Sequence, residues 1–151
     1  MSIRRIAAVL AFGVVVIGGP AFADDLLLSK GDATELIASD VGKPYWQMEA
    51  QCAGIFGAAY AFDMDRHKPA EADRAKDVGI SMLNDAIARL QADRGLDQPA
   101  ALNLAAEQVE VGRAGAKAGL QSSGGGPESY FNWMRSACSD ISDAARRHLP
   151  H

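Results

Sequence analysis

The chain has 151 residues, 48% of them apolar, with 15 basic and 19 acidic side chains and a formal charge of −4. That acidic balance, without clustered Lys and Arg, argues against a nucleic-acid partner, whose phosphates demand such clusters. A single threonine, Thr34, and no stretch alternating apolar with polar residues leave little material for strands, whereas alanine-rich helical periodicity runs through most of the chain.

The first segment, MSIRRIAAVLAFGVVVIGGPAFA, combines basic Arg4 and Arg5, an apolar run from Ile6 to Ile17, helix-breaking Gly18, Gly19 and Pro20, and then Ala21-Phe22-Ala23. This is the layout of a secretory signal peptide over residues 1–23, cut after Ala23. The apolar run is short for a permanent span, and the strongly apolar segment behind the arginines fits the general secretory route better than the twin-arginine route. Removing the segment takes away two basic and no acidic residues, leaving a single domain at 24–151 of 128 residues with a formal charge of −6. Beyond the signal no apolar run approaches the length of a membrane span, so no stable membrane insertion is expected. The periplasm is the expected compartment, with secretion beyond it as the variant.

Asp32 and Glu35 have the spacing of an N-cap and its return partner, which predicts a short leading helix ending at Gly42. Pro44 then opens the first long helix, running to about Asp63, with Met48, Cys52, Ile55, Ala59 and Phe62 on one seam. Pro69 starts the second, with Glu71 and Asp73 near its positive end and Arg94-Gly95 as its ending. Its core stripe reads Val78, Met82, Leu83, Ala86, Ile87 and Leu90. A third helix follows Asp97 and Pro99, its inner face marked by Leu102, Ala105, Val109, Gly112, Ala116 and Leu120. SSGGG at 122–126 is a loop, and Pro127 opens the last helix, whose shared face carries Phe131, Met134, Cys138, Ile141, Ala145 and His148.

Short connections favour antiparallel neighbours, so the expected fold is all-α: an up-down-up-down four-helix bundle with a short extra N-terminal helix. The first and last long helices then lie side by side. Cys52 sits about 12 Å along the first from Pro44, and Cys138 about 15 Å from the corresponding end of the last at His148. Two cysteines at matching heights, in an exported chain, predict a Cys52–Cys138 disulfide closing a loop of 86 residues. No histidine lies near either cysteine and no C-x-x-C pair occurs, which disfavours a catalytic thiol, and the absent C-x-x-C-H excludes c-type haem.

The remaining candidates are few. Asp63, Asp65 and His67 in DMDRH are potential ligands for a divalent metal, although carboxylates beside a helix start more often serve backbone N–H groups. Met48 and His148 occupy the places of the two axial ligands in an exported b-type haem bundle, but a Met on a helical seam is more often core filling. His148 and His151 lie near a helix C-terminus, where an imidazolium is favoured without any ligand. Tyr45 and Trp46 start one bridged helix and Tyr130 and Trp133 the other, either sealing the bundle ends or forming anchors for a partner. There is no G-x-S-x-G, no phosphate loop and no H-E-x-x-H. The sequence therefore points to a non-catalytic binding or interaction protein, with no cofactor and with another envelope protein as partner. A periplasmic bundle carrying b-type haem or a metal is the alternative.

Overall fold

The computed structural model describes residues 42–122 and 124–148, with the side chains of Ala145 and His148 outside that description. The expected signal segment and short leading helix lie outside the described residues. Four helices make up the described chain: α1 (Tyr45–Asp65), α2 (Pro69–Arg94), α3 (Gln98–Ser122) and α4 (Gly126–His148).

The ends of these helices follow from local chemistry. Pro44 enters α1 in an extended conformation, Pro69 supplies the pre-set φ of the first turn of α2, and Glu71 and Arg94 complement the α2 dipole. Asp97 caps α3, its Oδ1 accepting the Ala100 N–H at 2.9 Å. Gly95 ends α2 in the left-handed conformation, as C-terminal glycines do. At the end of α1 that place is taken by His67, with φ of 56°. The His67 N–H donates to the Met64 carbonyl and the Lys68 N–H to the Asp63 carbonyl, at 3.0 and 2.9 Å, the paired bonds of a Schellman motif.

Successive helices alternate in direction. α1 packs against all three others and buries most of its circumference, including Glu49 and Asp63. An apolar helix enclosed on nearly all sides is the central element of its domain. The Cys52–Cys138 disulfide joins α1 to α4 across a sequence separation of 86, with the two Cα atoms 5.6 Å apart. Along the same antiparallel pair, Phe62 meets Phe131 at 5.1 Å between ring centroids and Arg135 Nη2 contacts Asp63 Oδ2 at 2.9 Å. Lys68 and Glu128 pair at 3.2 Å where the chain leaves α1 and enters α4.

A square bundle of this topology would leave α1 and α3 on a diagonal. Here they run parallel and touch backbone to backbone. A Cβ placed on Gly54 would fall on the Val109 carbonyl, and one on Gly112 would fall on that of Gln51. Two glycines facing the crossing therefore let α3 slide in against α1, and α3 is left with only a sparse contact to α4, at the Tyr130 ring over Gly119.

Two expected core residues lie outside the core. Val78 and Leu102 are exposed, because α2 and α3 bury their small residues instead: Ala72, Ala75 and Gly79 on one, Ala101, Ala105, Gly112 and Ala116 on the other. With helices this close, the seam has room for Ala and Gly, and larger side chains move to the flanks.

Candidate functional site

The space left between α3 and α4 is an apolar groove of about 310 Å³. Its floor is the disulfide with Met48, Ile55 and Ile141, and its walls are Gly112, Gly115 and Ala116 of α3 and Tyr130, Met134 and Ala137 of α4. Val111 and Trp133 stand on opposite lips, 53% and 41% exposed, so apolar surface continues from the floor onto both rims. Among the described residues no charged side chain lines it. Its polar groups are already engaged: Gln51 Nε2 donates to Gln108 Oε1 at 2.8 Å, and the Tyr130 hydroxyl donates to the Gly115 carbonyl at 3.4 Å. Burial raises the Tyr130 phenol above its ordinary range, which keeps it a neutral donor. A space of this size and lining favours an uncharged apolar group and offers little to a charged one.

A second feature lies beside the floor, toward the start of α1. Glu49 is 3% exposed, one turn before Cys52, and Ser142 is equally buried, one turn beyond Cys138. From α2, buried Arg89 holds Asp93 through Nη1 at 3.4 Å, while its Nη2 and the Ser142 Oγ are buried without hydrogen-bond partners among the described residues. Burial pushes the Glu49 carboxyl up to about 8; Asp85 raises it further, and Arg89 and Arg146 pull the other way. At neutral pH this side chain is mostly a neutral acid and a hydrogen-bond donor.

The sequence-derived candidates separate in the structure. Tyr130 and Trp133 reach the groove, but Tyr45 and Trp46 are core residues, 0% and 4% exposed, with the Arg94 guanidinium 4.9 Å over the Trp46 ring. The second pair seals the start of α1 and offers no surface to a partner. Asp63 is turned to Arg135, whereas Asp65 and His67 are exposed. Among the described residues no three His, Cys, Asp or Glu side chains gather as a metal site. Met48 lies in the groove floor, and the His148 side chain is outside the described ones. None of the described helices is long and apolar enough to cross a membrane.

The sequence reading missed Gln51, Val111, Gly115 and Glu49. A signal for Glu49 was present: it is the only charged residue between Lys43 and Asp63, and a lone charge in such a run is either a surface mark or a buried exception. No protein-family model, curated protein or solved structure matches the chain.

Proposed function

We propose that this is an exported, non-catalytic binding protein of the periplasm, which receives an uncharged apolar group of another envelope component in the groove between α1, α3 and α4. The observation that carries this reading is the groove itself: concave, free of charge, floored by side chains held in place by a disulfide, and continuous with apolar residues on both lips. Exposed apolar surface of this kind in a chain with a charged exterior is a mark of an interaction site. Met48 and Met134 add adaptable, polarizable contacts suited to an occupant of variable shape. The leading segment and the oxidised cysteine pair support the compartment.

The test uses the uncharged fluorophore N-phenyl-1-naphthylamine together with Gly115→Leu. A Cβ on Gly115 meets nothing within 4 Å, so a leucine enters open space in the groove, and replacing glycine inside a helix favours folding. The wild-type protein should bind the probe saturably and change its Trp133 emission, while Gly115→Leu should stay folded and lose binding at least tenfold. Equal affinity in the two proteins, or no saturable binding to the wild type, refutes the groove as the binding site.

A further inference from the structure

The buried polar residues Glu49, Arg89 and Ser142 line no part of the groove, yet two of them neighbour its floor in sequence. Glu49 lies between Met48 and Cys52 in sequence, and Ser142 directly follows Ile141, so both flank residues of the groove floor. In the antiparallel pair, three residues back from Cys52 and four on from Cys138 lie at nearly the same height, about 5 Å below the bridge. The contacts that hold the other half of α4 to the α1 side, Phe62 with Phe131, Asp63 with Arg135 and Lys68 with Glu128, all lie on the far side of the disulfide. Below the bridge α4 relies on Ile141, Ser142 and Ala144, all buried, and Arg146 is already turned to Asp143 at its exposed surface.

We propose that the junction of Glu49, Arg89 and Ser142 is a proton-controlled latch on the groove: with the Glu49 carboxyl neutral, the last turns of α4 close against α1, and with it ionised they part, hinged at the Cys52–Cys138 bridge. The action on ligand rests on the groove being the binding site; the latch motion does not.

The charges acting on Glu49 come from two helices. α2 supplies Asp85 and Arg89, the latter held by Asp93, and α4 supplies Arg146. On its own helix Tyr45 lies one turn earlier, and α3 meets this end of the bundle with uncharged Ala101 and Ala105. An ionised carboxylate here is enclosed and repelled by Asp85, and the attraction of Arg89, which is shared with Asp93, is smaller than the cost of burial. Moving α4 outward lets solvent reach the carboxylate, while α2 is retained by its long contact with α1. The bundle has a weak side for this motion because α4 touches α3 so little. Opening there lengthens the groove at its Met48 and Ile141 end and takes away one wall of its floor.

Hydrogen exchange tests the latch directly, comparing wild type with Glu49→Gln at about pH 6 and about pH 9.5, with rates normalised to intrinsic amide chemistry. In the wild type, amides at 139–148 should exchange at least about tenfold faster at the higher pH, while α2 and α3 stay protected; in Glu49→Gln the ratio should remain near one. Asp85→Asn, which removes the repelling charge, should make the rise in exchange smaller than in the wild type. A flat wild-type profile, or the same rise in Glu49→Gln, overturns the latch. The N-phenyl-1-naphthylamine affinity is read on the same samples. A fall at high pH in the wild type alone supports the link to the groove, and equal affinity at both pH values while exchange switches overturns that link. A probe that never binds, with exchange still switching, overturns the groove reading and leaves the latch standing.

Discussion

Replacing both Cys52 and Cys138 by Ala isolates the contribution of the bridge, because a single replacement would leave one buried thiol against its former partner. The bridge closes a ring of 86 residues, for which the chain-entropy relation gives roughly 4 to 5 kcal/mol at room temperature. Strain and residual denatured-state structure lower that figure, so the expected loss is about 2 to 5 kcal/mol. The structure adds where the loss appears first. α4 has little contact with α3, and its other ties to α1 include the Phe62–Phe131 contact, the Asp63–Arg135 pair and the buried Ile141 and Ala144. The double variant should therefore remain helical but melt earlier, and α4 should lose protection before α2 or α3. Urea titration followed by circular dichroism gives the total, and hydrogen exchange gives the order. A loss below about 0.5 kcal/mol, or uniform loss of protection across all four helices, would refute the reasoning. Two free thiols in the folded, exported protein would remove its premise.

Three further perturbations follow from particular contacts. Glu49 keeps its proton to about pH 8 when folded but releases it near 4.5 when unfolded, so stability should fall as pH rises across that window and level off above it, by at most about 5 kcal/mol in total, less whatever opening of α4 relieves. Glu49→Gln should abolish that slope in pH-dependent denaturation, and a parallel slope in the variant would assign it to other groups. His67→Gly should raise stability by about 1 kcal/mol, since His67 occupies the left-handed position that glycine fills without steric cost; an unchanged melting temperature contradicts this. Gly54→Ala should destabilise by at least about 1 to 3 kcal/mol, because its methyl group meets the Val109 carbonyl and α3 must move away; wild-type stability would deny the close crossing.

The helices were legible because punctuation and periodicity agreed. Pro69, Asp97 and Gly95 mark ends by backbone chemistry that tertiary packing does not override. The bridge was legible because both cysteines lie on apolar seams, which fix height and facing together. The packing partner of each face was not legible. In α1 small and apolar residues occur all the way round, so the seam through Cys52 and Ile55 could be read while the glycine crossing through Gly54 could not. Val78 and Leu102 were assigned inward by size, whereas the short distance between helices selects alanines. The groove follows from that same displacement of α3 and has no motif of its own: Tyr130 and Trp133 were visible as aromatics, but their association with Met48 and Gly115 is a product of the fold.

The covalent ring also determines how the molecule carries a pull. Tension applied through the segments before Cys52 and after Cys138 passes straight across the sulfur–sulfur bond, so the 86-residue arc containing α2 and α3 carries none of it. Only the first two turns of α1 and the last turns of α4 can be peeled by such a force, and these are the stretches around Glu49 and Ser142. An occupant tugging on the outer end of α4 would thus strain the groove floor without extending the rest of the chain.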